Sequence, residues 1–336
     1  MNRKDFLQTT IPLVASVGTM GFTGRDENKS AIPKYLKEGD TIGITCPSGW
    51  ITIEEVQACI KQLEAWGFKV VMDNTVGAKD FTFAGTDDER AAGFQKMLDD
   101  ESIDAIMLGR GGYGAIRIID KIDFSKFRKK PKWVMGFSDA TIVHLQLARF
   151  GIPSIHCKMC NSFPDDPSTE TTEQAYAINS INTCLRGEQT EYDANTTQVN
   201  RPGSAKGKLI GGNLSIIGMM CGSKSAIRTD GCILFIEDVE EYMYKIDGML
   251  WNLLRSGKLD RLKGLIIGQF RIKPDDPGEE FGLTLHDIVM EKVNQFSYPV
   301  CFDFPVGHVY ANNALKCGMP YLLQVSPDNS RLTSLA

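Results

Sequence analysis

Histidine is scarce in this chain: 336 residues contain four. Any imidazole base must therefore be His144, His156, His286 or His308. A basic excess is also lacking. Lys and Arg number 37 against 42 Asp and Glu, a formal charge of -5, so there is no electrostatic footprint for a nucleic-acid partner. Beyond the N-terminus no apolar run is long enough to cross a bilayer, and stable membrane insertion is not expected. Internal repeats and low-complexity tracts are missing too. The nine cysteines are an odd number, scattered rather than framed for a disulfide scaffold. Cys157-Lys158-Met159-Cys160 is a C-x-x-C without a second pair, and buried thiols explain it better than metal or redox chemistry. Neither a metal nor a cofactor is expected.

What is present is an ordinary globular composition, 42% hydrophobic and 24% charged, at a length that suggests two domains. Arg3 and Lys4, followed by a mostly apolar run from Ile11 to Phe22, have the layout of a secretory signal. Arg3-Lys4-Asp5-Phe6-Leu7-Gln8 also looks like a twin-arginine export signal with lysine in second place. An amphipathic first helix is the alternative. We expect residues 1–30 to be an export segment, which places the protein in the periplasm, with a cytoplasmic location as the alternative.

From Thr41 onwards, short β-rich runs alternate with helical periodicity. Thr41–Thr45, Phe68–Met72, Ala105–Leu108 and Trp133–Met135 read as strands. Ile53–Trp66, a segment opened by a capping box at Thr86, and Ala140–Phe150 read as helices. That alternation predicts an α/β fold with a parallel sheet, whose ligands gather at the carboxyl ends of the strands. Residues 31–165 form the expected first domain and 166–204 a polar linker with a helix around Thr172–Leu185. Residues 205–336 form the second, including strands Cys232–Ile236 and Leu265–Ile267 and helices Tyr242–Arg255 and Thr284–Val293.

Two stretches fall at such strand ends. Gly136-Phe137-Ser138-Asp139-Ala140-Thr141 leaves a strand and enters a helix at once. Ser138 or Asp139 there is either a helix cap or, for the serine, a nucleophile on a sharp strand-to-helix elbow. Gly109-Arg110-Gly111-Gly112-Tyr113-Gly114 follows another strand and brings amides near a ligand without a Cβ in the way. Its G-x-G-x-x-G spacing lacks the first-strand context and acidic partner of a dinucleotide loop. A nucleophilic serine needs a base, and His308, at the end of Phe304-Pro305-Val306-Gly307-His308, has the best position. His144 lies on the helix after the elbow and points away. His156 suits strand-end packing and His286 a surface rim. Glu237, at the end of an apolar strand, is the candidate acid, whereas Asp238, Glu240 and Glu241 look like a solvated run. Three unrelated polar strand ends would look the same.

Five motifs in order, Gly109–Gly114 with Arg117 following, Gly136–Thr141, Gly211-Gly212-Asn213-Leu214, Phe235–Glu240 and Pro305–His308, resemble the LD-carboxypeptidase family, which includes the microcin C immunity peptidases. The resemblance runs from about Lys37 to the C-terminus and decides for the elbow. It implies a serine peptidase with the triad Ser138, Glu237 and His308, and oxyanion donors from the backbone of Gly112 and Asp139. It also implies a flavodoxin-like N-terminal domain, a smaller β-rich α/β C-terminal domain, and a homodimer. The substrate implied is a murein tetrapeptide or related small peptide, cut at an L-to-D bond to release D-alanine without metal. Arg110, Gly111, Tyr113 and Asn213 are candidate substrate contacts, Arg110 for the free carboxylate; its alternative is a salt bridge between loops. His156-Cys157-Lys158-Met159 departs from the expected His-Gly-Pro-Met. Competing readings are cleavage of a peptidyl-nucleotide conjugate, with Trp50 or Phe163 as a wall for the base, and a silent binding protein using the same cleft.

Overall fold

The structure, a computed structural model, describes residues 32–196 and 198–335. The expected export segment lies outside them. Five strands and four helices open the chain: β1 (Thr41–Thr45), α1 (Gln57–Ala65), β2 (Lys69–Met72), α2 (Asp87–Asp99), β3 (Ala105–Leu108), α3 (Ala115–Ile118), β4 (Trp133–Gly136), α4 (Thr141–Arg149) and β5 (Ser154–His156). Helix α5 (Thr172–Arg186) and strand β6 (Glu191–Asn195) follow, then β7 (Gly203–Asn213), α6 (Leu214–Met220), β8 (Cys232–Tyr242), α7 (Met243–Arg255), β9 (Gly264–Lys273) and α8 (Leu285–Val293). Four strands end the chain: β10 (Val300–Cys301), β11 (Leu315–Cys317), β12 (Pro320–Val325) and β13 (Asn329–Ser334).

The first sheet has the order β11-β5-β4-β3-β1-β2, parallel except for β11. Its five N-terminal strands stand in the flavodoxin-like order, so the loops after β1, β3 and β4 open on the same edge. The second sheet runs β10-β9-β8-β7-β12-β13-β6, parallel from β10 to β7 and antiparallel beyond. Strands do not sort by position in the chain, since β11 pairs with β5 through Leu315 and His156.

Alternation along the central strands explains the layers. Ala105 and Met107 of β3 join one buried cluster, Ile106 and Leu108 the other. Ile233 and Phe235 of β8 divide from Leu234 and Ile236 in the same way. A strand buried on both faces must be apolar at every position, which is why β3 and β8 read as continuous hydrophobic runs. Each cluster therefore draws on both sheets. Helix α4, buried from Thr141 to Leu147, packs against α6 and ties the sheets together.

The Thr86 capping box is present: its hydroxyl accepts from the Glu89 amide, and the Glu89 carboxylate accepts from the Thr86 amide. Strands β8 and β9 extend well past the apolar cores Cys232–Ile236 and Leu265–Ile267. They pair as far as Tyr242 and Lys273 through two register shifts. Strand β10 is only two residues long. All nine cysteines are free thiols, and burial holds those of Cys157 and Cys160 above their usual range.

Candidate active site

Ser138 stands on the short 3-10 turn that joins β4 to α4, with φ +61°. A left-handed conformation is unfavourable for a residue with a Cβ, and it turns this serine out of the strand direction. Two anchors hold the turn. Buried His144 donates from Nε2 to the Gly136 carbonyl at 2.8 Å, while its Nδ1 accepts from the Ser154 hydroxyl at 2.8 Å. Burial lowers its pKa to about 4, so the ring is neutral and this tautomer satisfies both nitrogens. Below the turn, the buried Asp139 carboxylate accepts from the Ser48 hydroxyl at 2.6 Å and from the Ala115 amide at 2.8 Å. Burial raises its pKa, and those hydrogen bonds oppose the rise. One carboxylate thus fastens the loops after β1 and β3 to the elbow. Sequence reasoning offered the Asp139 side chain only as a helix cap; neither the 3-10 turn nor α4 has a side-chain cap, and the carboxylate makes this tie instead.

The glycine loop closes over the serine. A Cβ on Gly111 would lie 3.1 Å from Ser138 Cβ and 3.2 Å from its Oγ, tighter than ordinary contact, so a side chain here would press on the serine. The Gly49 amide donates to the Gly111 carbonyl at 2.9 Å, and the Gly112 amide has no carbonyl acceptor among the described residues.

His308 and Glu237 come from the other sheet. Nδ1 of His308 donates to Glu237 Oε2 at 2.7 Å, which leaves Nε2 free to act as a base. The glutamate is fully buried; burial pushes its pKa up, and the His308 contact opposes this. The imidazole lies 4.8 Å from the ring of Phe137, the residue before the serine. A second buried histidine, after His144, sets the loop that carries His308. His156 Nε2 donates to Asn312 Oδ1 at 3.2 Å, and the same oxygen accepts the Gly307 amide at 2.9 Å. Gly111 thus packs on Ser138 at one strand end, His308 pairs with Glu237 on the other sheet, and the Phe137 ring against the imidazole joins the two groups.

A cavity of about 660 Å³ opens beside His308, lined among others by Phe137, Lys158, Phe163, Arg271 and Tyr310. The molecule thus has a partly exposed imidazole on a fully buried carboxylate, a strained serine and a peptide-sized cleft.

A model of the LD-carboxypeptidase N-terminal domain matches residues 42–157, and one of the C-terminal domain matches residues 206–323. The chain belongs to the LD-carboxypeptidase family. It is a serine-type peptidase, a hydrolase. A Bacillus subtilis protein described as a probable murein peptide carboxypeptidase is 30% identical, over 85% of this chain and 89% of that protein. The murein tetrapeptide carboxypeptidase of Pseudomonas aeruginosa is 27% identical, over 84% and 92%. Among solved structures, the muramoyltetrapeptide carboxypeptidase of Oxalobacter formigenes matches with a TM-score of 0.77 at 26% identity, over 88% of this chain and 98% of that one. The microcin C7 self immunity protein shares the fold, with a TM-score of 0.78 at 22% identity, over 90% and 98%.

Other positions of this LD-carboxypeptidase family member fall outside the central cluster or do other work. Arg110 forms no ion pair among the described residues and reaches the Trp50 carbonyl at 3.4 Å. Tyr113 is exposed, its ring 6.2 Å from that of Phe83. Asn213 is buried: it caps α6 by accepting from the Ile216 amide at 3.2 Å and donates to Asp238 at 2.9 Å. Asp238 corrects the expectation of a solvated run. It is 3% exposed and accepts from the Ser215 amide and hydroxyl at 2.8 and 2.6 Å, so α6 rests on it. Glu240 is exposed as expected. His286 sits at the surface with Nε2 3.0 Å from the Val199 carbonyl. Arg271, Tyr310 and Lys158 were missed as cavity residues. Proximity to His308 was the available signal for Tyr310. Arg271 lies beyond the apolar part of β9, where the sequence gives no strand pattern.

Proposed function

We propose that this enzyme is a carboxypeptidase that removes the terminal D-alanine from murein tetrapeptides, with Ser138, Glu237 and His308 as its triad. The observation that carries the assignment is the 2.7 Å bond from His308 to the fully buried Glu237, beside a serine held at φ +61°. In this reading His308 Nε2 takes the proton of Ser138 as Oγ attacks the scissile carbonyl. The amides of Gly112 and Asp139 hold the oxyanion. His308 then gives its proton to the leaving amine, and water, deprotonated by the same imidazole, releases the acyl group from Ser138. The murein-directed names of the B. subtilis and P. aeruginosa relatives support the substrate class.

Mass spectrometry of the purified protein with murein tetrapeptide tests it. The wild type should remove one alanine, and Ser138→Ala should lose at least about 10³-fold in kcat while keeping its fold. Turnover retained by the variant would sink the nucleophile assignment. The aromatic wall of Phe137, Phe163 and Tyr310 favours a second reading, a peptide joined to a nucleotide-like group. Labelling of Ser138 by a fluorophosphonate without loss of alanine would bring it forward. Export directed by residues 1–30 and pairing into a homodimer belong to the same proposal; cell fractionation and sedimentation test them.

A further inference from the structure

Two cations line the cavity beside His308, and they differ in kind. Arg271 is mostly exposed and lies 3.9 Å from Glu240. Lys158 is 4% exposed, and its Nζ donates to the Val309 carbonyl at 3.3 Å. No carboxylate forms an ion pair with it among the described residues. Glu170 and Cys157 are the titratable groups whose charges reach it, while His308 and Arg271 share its cavity. Burying an ammonium against one backbone carbonyl is unfavourable, and burial lowers its pKa to about 8. A bound anion would relieve that.

Chemistry says where the anion would be. The base must protonate the leaving amine, so the leaving residue sits against His308. Its free carboxylate is one carbon from that amine. Lys158 is anchored on Val309, the residue after the base. Arg110, by contrast, reaches Trp50 and is not part of this cavity wall. We propose that Lys158 binds the free α-carboxylate of the substrate's C-terminal residue and so makes the enzyme cut only at chain ends. The inference rests on the function proposed above.

The test compares kcat/KM for murein tetrapeptide and for its C-terminal amide, in the wild type, Lys158→Met and Lys158→Arg, with fluorophosphonate labelling of Ser138 to report a folded, live site. The wild type should prefer the acid. Lys158→Met should lower kcat/KM for the acid about 100-fold through KM and leave the amide almost untouched, and Lys158→Arg should restore part of the preference. In the wild type alone, the acid-over-amide ratio should fall as pH rises through about 8, where the ammonium loses its proton; the amide substrate cancels the titration of His308. An acid-over-amide ratio that is flat with pH, or unchanged in a labelled Lys158→Met enzyme, overturns the assignment. A wild type that fluorophosphonate does not label sinks the triad, and this inference with it.

Discussion

Of the four histidines, His144 and His156 are buried, and they hold the residues of the proposed triad in place. His144 fixes the carbonyl two residues before Ser138, and His156 fixes the loop that carries His308 through Asn312. Both are buried and neutral, with pKa values lowered to about 4 and about 3 by desolvation. The folded protein therefore binds fewer protons than the unfolded chain, whose imidazoles titrate near 6.5. Stability from His144 is complete above pH 6.5 and is lost as pH falls towards 4, a contribution of up to about 3 kcal/mol. Urea unfolding at pH 7 and pH 4.5 should show a smaller acid-induced loss in His144→Gln than in the wild type. Equal losses would mean that His144 is not the group responsible. The sequence marked His308 as the base from its strand-end position. It set His144 aside as pointing away from the serine and left His156 as a packing residue, because hydrogen bonds to a carbonyl and to an asparagine 156 positions away leave no local pattern.

Strand ends meet closely at β7. A Cβ on Gly212 would lie 2.5 Å from the Thr141 hydroxyl oxygen, at the start of the helix that follows Ser138, and φ there is +140°. Gly212→Ala should cost about 3 kcal/mol and displace the elbow. Gly231→Ala, at φ +71° with nothing nearby, should cost about 1 kcal/mol. Denaturant midpoints of the two variants check this, and equal costs would show that β7 yields freely. Elements with strong local signals were legible: the Thr86 capping box, and β3 from its unbroken apolar run Ala105–Leu108. Strand β6 was not. Only Tyr192 and Ala194 face inward in Glu-Tyr-Asp-Ala-Asn, so its polar outer face looked like linker. The extensions of β8 and β9 were hidden for a related reason: their residues are largely polar or charged, and pairing with each other through register shifts makes them strands.

At the scale of the molecule, the two buried clusters each combine residues from both halves, from Leu36 to Leu332 in one and from Phe94 to Phe302 in the other. The first sheet is completed by β11, from near the C-terminus. Residues 32–204 and 205–336 expressed separately should therefore fail to fold, and the intact chain should unfold in one cooperative transition. Native near-UV circular dichroism from either half, or two calorimetric transitions, would show the halves to be independent. The alternation of strands and helices revealed the fold class, but nothing local marks Leu315–Cys317 as the partner of Ser154–His156, so far back in the chain. That pairing sets an order of events during synthesis. On the proposed triad, a ribosome that has made the serine, the glycine loop and the glutamate has still made no peptidase. By that mechanism hydrolytic power arrives only when His308 and, after it, the strand that seals the first sheet have emerged, so the growing chain is its own zymogen until both are out.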